Sequence, residues 1–247
     1  MKDKNTLLHS GERLDDLQNN GYHIIQHPNK FCFGMDAVLL SHFTNIKKGS
    51  QVLDMGTGTG VLPILLCALT QNTSFEALEI QEESADMASR SVIWNDLEER
   101  IHITQGDIKD ASKIFGKHCF DAVVTNPPYM NDRHGLKNPE LSIAIARHEI
   151  LCTLDDVVRE ASEVLKPKKS LYMVHRPHRL PEIFQTMQRH RIEPKRMCLV
   201  HPYVNKEPNM VLIEGTKDGN PMLKIESPII IYRDKDVYTQ QILDYYC

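Results

Sequence analysis

The sequence predicts an α/β fold built on a mostly parallel sheet, and three observations indicate it. Short apolar runs alternate with amphipathic segments of helix length from residue 50 to about 190, a pattern typical of βαβ units. A glycine-rich turn follows the first of these runs, and later runs end in acidic or amide side chains. Because ligands of open α/β sheets bind at the carboxyl ends of the strands, these side chains predict a site at that edge.

The apolar pattern predicts the individual elements. Strands are expected near 51–54, 75–80, 101–104, 120–125 and 170–175, with further runs at 196–201 and 209–214. Helices are expected near 61–70, 82–96, 153–165 and 179–190. Residues 1–30 are polar and are expected to form an N-terminal helix and turn that pack on the core. Residues 31–247 are expected to form a single domain, in which the polar loop 130–145 is placed to cover a substrate.

Composition narrows the class of protein. The 247 residues are 41% hydrophobic, enough for one large domain, and no apolar run reaches the length of a membrane-spanning helix. The N-terminus lacks a signal-peptide pattern, and the six cysteines are scattered without a C-x-x-C pair, as in a reduced cytoplasmic protein. Neither the cysteines nor the twelve histidines show metal-ligand spacing, so we expect no metal; a monomer is favoured.

The glycine-rich turn predicts a nucleoside cofactor that carries a cation. Glycines alternate at Gly56, Gly58 and Gly60 after the strand-terminal acid Asp54, and glycine allows both positive φ and close approach of a ligand. Asp54 would repel a pyrophosphate but favour a cation such as the ammonium group of S-adenosylmethionine. The alternative interpretation is a tight strand–helix turn without a ligand.

Two further acids follow at the ends of the next strands. Glu79 ends the second strand, where a carboxylate accepts hydrogen bonds from ribose hydroxyls in dinucleotide folds. Asp107 follows the third strand and is expected to accept from an adenine amine, with Ile80 and Ile108 on either side of the ring. Each acid alone could be a solvated loop residue, but the three together favour the cofactor site.

The segment Asn126-Pro127-Pro128-Tyr129 follows a fourth apolar run and predicts the catalytic group. Proline fixes its own φ, lacks a donor and holds the preceding residue extended. The segment therefore presents the Asn126 amide, the Pro127 carbonyl and the Tyr129 ring. Two acceptors and an aromatic face suit a planar group with an NH2 substituent. A Pro-Pro loop without function is the alternative.

The charge distribution predicts an RNA partner. The net charge is −4, but residues 166–196 carry nine Lys or Arg against two acids, while residues 76–110 carry ten acids against three bases. A basic face on an acidic protein is typical of phosphate binding. We expect phosphate contacts from Arg176 and Arg179, and further substrate contacts from Lys195 and Arg196; single residues of this segment could equally be a solvated helix surface.

Both motifs together resemble the class I S-adenosylmethionine-dependent methyltransferases, and the Asn-Pro-Pro-Tyr form resembles those that methylate exocyclic or amide nitrogen. Further segments resemble the bacterial tRNA1(Val) adenine-37 N6-methyltransferase family, and the resemblance extends from about residue 11 to 240. They are Arg13–Gln18, Phe31–Leu40, Ala146–Glu149, Cys152–Leu154, His175–Pro177, Glu193–Arg196 and Glu207–Asn209.

That resemblance implies a Rossmann-like sheet of seven strands with an antiparallel C-terminal hairpin, S-adenosylmethionine as cofactor and tRNA as partner. It implies cofactor contacts from Asp54, Gly56, Gly58, Glu79 and Asp107, and catalysis at Asn126 with Pro127 and Tyr129. The segment Phe31–Asp36, with Phe33, would close over the methionine end, while Pro128 and Arg147 would contact substrate. Lys168-Lys169 replaces the usual Gly-Gly, so the turn loses its easy positive-φ position and adds charge that we expect beside the RNA face.

Other acceptors stay open from the sequence: a release-factor glutamine, an rRNA guanine or a DNA adenine. The basic segment disfavours a protein substrate, and the lack of a target-recognition domain disfavours sequence-specific DNA. A non-catalytic RNA-binding protein is a second class of function. It has no need of Asp54, Glu79, Asp107 and Asn126 together, and detectable cofactor binding would separate the two classes.

Overall fold

The computed structural model describes residues 4–28, 32–127 and 152–246. The strands are β1 Arg13–Asp16, β2 His23–Gln26, β3 Gln51–Met55, β4 Ser74–Glu79, β5 Ile101–Gln105, β6 Phe120–Thr125, β7 Leu165–His175, β8 Ile192–His201, β9 Met210–Lys217, β10 Lys224–Ile225, β11 Ile229–Ile230, β12 Tyr232–Asp234 and β13 Val237–Tyr238. The helices are α1 Met35–Phe43, α2 Val61–Leu69, α3 Glu82–Trp94, α4 Ala111–Phe115, α5 Leu154–Val164, α6 Leu180–Arg189 and α7 Gln240–Leu243. None of the helices in these ranges is both long and apolar enough to cross a membrane.

The predicted mostly parallel sheet is confirmed. Its strands lie in the order β10-β8-β9-β7-β6-β3-β4-β5, with β3 to β7 parallel to one another and β9 antiparallel to both of its neighbours. The long strands β3 to β9 are the expected seven, and β8 with β9 forms the expected antiparallel hairpin. The short strands β10 and β11 add to the outer edge of β8 in parallel.

Helices cover both faces of the sheet, and each is explained by its apolar pattern. Helix α2 is apolar on nearly every side because it is buried from Val61 to Cys67 between the sheet and its neighbours. Helices α5 and α6 instead bury one stripe each on the opposite face. Helix α5 begins at a capping box, in which the Thr153 hydroxyl accepts from the Asp156 N–H and the Asp156 carboxylate accepts from the Thr153 N–H.

The prediction of an N-terminal helix was wrong for the residues described. After a short 3-10 turn at Lys4–Leu7, the chain forms the antiparallel hairpin β1–β2, in which Ile24 and Ile25 are fully buried. The hairpin packs on α3: the Ile25 N–H donates to the Ser91 hydroxyl at 2.9 Å, and the Arg90 guanidinium binds both oxygens of Glu12 at 2.6 and 2.7 Å. These contacts join residues that lie far apart in the sequence, so the polar composition of residues 1–30 did not predict them.

The charge added by Lys168-Lys169, which we expected beside the RNA face, lies at the amino edge of the sheet. Lys166 and Lys169 pair with Asp121 at 3.1 and 2.9 Å, at the amino end of β6. In a parallel sheet this is the edge opposite the carboxyl ends where the predicted site residues lie. Lys168 does occupy the positive-φ position of the turn, with φ of 62°.

Candidate functional site

The carboxyl edge of the parallel strands brings the predicted site residues together. Asp54 pairs with Ala77 of β4 and Val124 of β6, so the ends of these three strands are level. Glu79 ends β4, and Asn126 directly follows β6. The Thr125 hydroxyl donates to the Met55 carbonyl at 2.8 Å, which ties the start of the Asn-Pro segment to the residue before Gly56.

The glycine turn is shaped by backbone hydrogen bonds and by positive φ angles. The N–H groups of Gly56 and Thr57 both donate to the Leu78 carbonyl, at 2.9 and 3.0 Å. Gly56, Gly58 and Gly60 have φ of 78°, 57° and 88°, a region that favours glycine.

The glycines of this turn face different surroundings. A Cβ at Gly58 would have no described atom within 4 Å, so this position borders open space. A Cβ at Gly60 would lie 3.2 Å from the Ala88 Cβ, so Gly60 permits close packing of α2 on α3. A Cβ at Gly56 would lie 3.5 Å from the Ile108 side chain.

Asp54 is the most unusual group of the site. Its carboxyl group is fully buried, and neither oxygen has a hydrogen-bond partner among the residues described. Burial raises the pKa of Asp54 to about 7; the nearby Thr57 hydroxyl acts against this rise, and the charge of Glu79 adds to it. Since an unpaired buried carboxylate is costly, the arrangement favours a cationic or hydrogen-bond-donating ligand. The site therefore fits the amino acid end of S-adenosylmethionine.

Glu79 is buried and held in one orientation by the backbone. One of its carboxylate oxygens accepts from the Gly58 N–H at 2.9 Å and the other from the Gln81 N–H at 2.8 Å. Each oxygen keeps a second lone pair, so the group can also accept from two ribose hydroxyls. The side chain couples the glycine turn to the end of β4.

The adenine end of the predicted cofactor site is less tightly packed. Ile80 is exposed and Ile108 is partly buried. Asp107 accepts from the Lys109 N–H at 2.9 Å and forms an ion pair with the Lys109 ammonium at 3.3 Å, so its carboxylate is already partly satisfied. Phe33 is partly buried against the core, and its N–H donates to the fully buried Gln26 side chain at 3.0 Å.

The Asn126 side chain is oriented by a residue far away in sequence. Its amide nitrogen donates to the Asp36 carboxylate at 2.9 Å, so the amide oxygen lies on the branch that faces away from Asp36. The adjacent Pro127 is buried. Pro128, Tyr129 and Arg147 lie outside the residues described, as do Phe31 and the predicted loop 130–145.

A small cavity of about 40 Å³ lies beside Pro127 and Gly56, and it includes His175, which the sequence analysis did not name as a site residue. His175 is 1% exposed, and burial lowers its pKa to about 3, with the Arg179 guanidinium contributing. The imidazole is therefore neutral, and its Nδ1 accepts from the Arg176 N–H at 2.8 Å. Its sequence signals are its place at the end of an apolar run and its membership of the segment His175–Pro177, which resembles the methyltransferase family.

The basic residues predicted to bind substrate have different surroundings. Arg176 and Arg179 follow β7 at the site edge, where Arg176 donates to the Asn209 carbonyl at 2.9 Å and Arg179 binds Glu182 at 2.7 and 2.9 Å. Lys195 lies in β8, three strands away from β6, and donates to the Asn220 carbonyl at 2.9 Å.

Arg196 is held inside the fold. Its guanidinium donates to Glu214 at 2.8 Å, to Glu226 at 3.3 Å and to the Phe43 carbonyl at 2.6 Å, and it lies 3.9 Å from the centre of the Phe43 ring. These partners join α1, β8 and β9. Arg196 is therefore a structural residue, and we omit it from the RNA contacts proposed below.

Comparison with known proteins gives concordant results. The model of the methyltransferase small domain family matches residues 21–192. A tRNA1(Val) (adenine(37)-N6)-methyltransferase of Porphyromonas gingivalis is 29% identical over 187 residues, covering 73% of this chain and 72% of the relative. A protein of Agrobacterium tumefaciens described as a predicted O-methyltransferase superposes with a TM-score of 0.70 at 21% identity, covering 86% of this chain and 95% of that one.

A second solved structure has a bound cofactor product. Geranyl diphosphate C-methyltransferase of Streptomyces coelicolor, in complex with S-adenosyl-L-homocysteine, superposes with a TM-score of 0.56 at 13% identity over 73% of this chain and 74% of that one. Fold, cofactor edge and relatives together define an S-adenosylmethionine-dependent methyltransferase. The chain belongs to the methyltransferase small domain family, and the expected resemblance to the tRNA1(Val) adenine-37 N6-methyltransferases is confirmed.

Proposed function

We propose that this enzyme methylates the N6 nitrogen of an adenine in RNA, at position 37 in the anticodon loop of a tRNA. The observation that carries the proposal is the fixed amide of Asn126 at the end of β6, beside the glycine turn and the unpaired carboxyl group of Asp54. The activity named for the relatives supports the choice of adenine N6 and of tRNA.

The cofactor contacts are assigned by the chemistry of each group. Bound S-adenosylmethionine supplies a methyl group that is already activated on a sulfonium. Asp54 would hold its cationic end and Glu79 its ribose hydroxyls, with Gly56 and Gly58 allowing close approach. The remaining proposed contacts are Phe33, Gly60, Ile80, Asp107, Ile108 and Asn126.

The chain's main task in the reaction is to position a weakly nucleophilic amine. The lone pair of an adenine amine is delocalised into the ring. We assign the Asn126 amide oxygen and the Pro127 carbonyl as acceptors of its two N–H bonds, which draws the nitrogen toward tetrahedral geometry. Such positioning can contribute roughly 7–11 kcal/mol. No strong base is needed before attack, since the amine proton becomes acidic only once the new bond forms.

An unstacked base is the substrate form that such a site can reach. A single-stranded loop presents one at the lowest cost, which supports an anticodon loop. Tyr129 would stack on the base, contributing about 1–3 kcal/mol. Arg176 and Arg179 at the same edge are the proposed phosphate contacts, Lys195 a more distant one, and Pro128 and Arg147 complete the proposed substrate contacts.

The test is transfer of labelled methyl from S-adenosylmethionine to unmodified bulk tRNA, followed by nucleoside analysis. We expect N6-methyladenosine with the wild-type enzyme and almost none with Asn126→Ala, while calorimetry gives a cofactor affinity within a few-fold of wild type. If the cofactor binds and no tRNA is methylated, the proposed substrate is wrong, and release factors, rRNA and DNA are the next acceptors to test. If Asn126→Ala is fully active, the assignment of the amide is wrong.

A further inference from the structure

We propose that Asp36 is a positioning residue for methyl transfer: its carboxylate holds the Asn126 amide in the one orientation that presents an oxygen to the substrate amine. The inference rests on the acceptor role proposed for Asn126. Asp36 lies in the first turn of α1, ninety residues before Asn126 in the chain, and its carboxylate accepts from the Asn126 amide nitrogen at 2.9 Å.

Asn126 needs a positioning residue because the two branches of its amide group have nearly the same shape. The oxygen and nitrogen branches of asparagine are nearly equal in size but opposite in hydrogen bonding. A substrate amine that offers N–H donors requires the oxygen branch, and a flipped amide would present a donor to a donor. A carboxylate can only accept, so a contact with Asp36 selects the nitrogen branch for itself and leaves the oxygen branch on the other side.

Asp36 is itself fixed by its surroundings. Its second carboxylate oxygen accepts from the Ala37 N–H at 3.0 Å, which orders the side chain at the start of α1. The following turns of α1 are buried, with Val38 and Leu40 at 2% exposure or less. A Cβ at Gly34 would lie 3.0 Å from that same carboxylate oxygen, so the absence of a side chain at Gly34 makes room for Asp36.

The negative charge of Asp36 has an effect on the Asn126 amide in addition to fixing its orientation. A hydrogen bond from an amide nitrogen to a carboxylate is charge-assisted and polarises the amide, which makes its oxygen a better acceptor. That gain is largest when positive charge develops on the substrate nitrogen during attack. Asp36 should therefore affect the rate of transfer more than the binding of the cofactor.

The test compares Asp36→Ala, Asp36→Asn, Asn126→Ala and the double variant in the tRNA methylation assay. We expect Asp36→Ala to lower kcat about 10- to 100-fold and to leave the KM for S-adenosylmethionine within about threefold. Asp36→Asn should lie between Asp36→Ala and wild type, because its single oxygen must serve both the Ala37 N–H and the Asn126 amide.

The double variant separates positioning from a general effect on the fold. If Asp36 acts through Asn126, adding Asp36→Ala to Asn126→Ala should cause no further loss of kcat. A matched control is Asp155→Ala, which removes a carboxylate from the first turn of α5 that binds Arg189 and His190; it should leave kcat unchanged. Additive losses in the double variant, or wild-type kcat for Asp36→Ala, would overturn the inference.

A spectroscopic measurement tests the contact between Asp36 and Asn126 independently of the identity of the substrate. The side-chain NH2 resonances of Asn126 can be followed by nuclear magnetic resonance in wild type and Asp36→Ala, both saturated with S-adenosylhomocysteine. Unchanged resonances would refute the contact whatever the substrate is. Shifted resonances in an enzyme that methylates no tRNA would mean that the proposed function has failed while the role of Asp36 in holding the amide stands.

Discussion

Replacing Asp54 with asparagine should stabilise the ligand-free enzyme while weakening its binding of the cofactor. Asparagine keeps the shape of the side chain and removes the ionisation of a fully buried carboxyl group that has no hydrogen-bond partner in the described structure. Ionising the buried Asp54 carboxyl group costs free energy and so destabilises the ligand-free protein. A bound cationic ligand would offset this cost.

The magnitude and its direction with pH follow from the pKa of Asp54, which burial raises from 3.8 to about 7. Between these two values the folded protein holds a proton that the unfolded chain has released, so stability falls as pH rises through this window and then levels off above about pH 7. The complete window corresponds to about 4 kcal/mol, and the part between pH 5 and 8 to about 3 kcal/mol. For a protein of this size, that part amounts to a difference of roughly 6–12 °C in Tm.

The assay is urea unfolding of both proteins without cofactor at pH 5, 6, 7 and 8. The other titrating groups are common to both proteins, so the difference between the two pH profiles isolates Asp54. Wild type should lose about 3 kcal/mol more than Asp54→Asn between pH 5 and 8. Calorimetry should show that the cofactor affinity of wild type rises from pH 6 to 8. At pH 8, the variant should bind the cofactor about 10- to 100-fold more weakly than wild type. Identical pH profiles of stability would refute the reasoning.

Three other predictions use single contacts. Gly58→Ala and Gly60→Ala each place an alanine at positive φ, which costs about 1–2 kcal/mol, but only Gly60→Ala presses a methyl group against α3. Thermal melts should therefore show the larger drop in Tm for Gly60→Ala. Calorimetry should show the larger loss of cofactor affinity for Gly58→Ala. Arg196→Met should lower the Tm, because it removes the ion pairs and the contact with Phe43, and it should leave the KM for tRNA unchanged. A raised KM with a normal Tm would instead show that Arg196 contacts RNA. Lys168→Gly should raise the free energy of unfolding by about 1 kcal/mol because φ is 62° there, and an unfolding curve that moves the other way would show that its side-chain contacts matter more.

The sequence predicted the sheet and the edge at which the candidate site residues meet, because both depend on local patterns. Apolar runs from Val52 to Val174 are continuous enough to define buried parallel strands, and a strand that ends in an acid or an amide places that group at a known edge. The alternating glycines were informative for the same reason, since their positive φ angles are a local property.

Predictions failed where partners lie far apart in the chain. The first thirty residues are polar, yet Ile24 and Ile25 are buried by contacts with α3. Arg196 belongs to a basic segment, but its charge is taken up by Glu214 and Glu226. Net charge along a segment does not tell which charges are paired across strands.

The sequence by itself determined the class of fold, the order of its strands in the chain and the groups that meet at their carboxyl ends. These follow from periodicity, from the conformations allowed to glycine and proline, and from the geometry common to parallel sheets. Only the tertiary structure decided that Asp54 is buried without a partner, that His175 borders the site, and that Asp36 orients Asn126. Burial and hydrogen-bond partners depend on which distant segments come together, and that is settled by the packing of the chain as a whole.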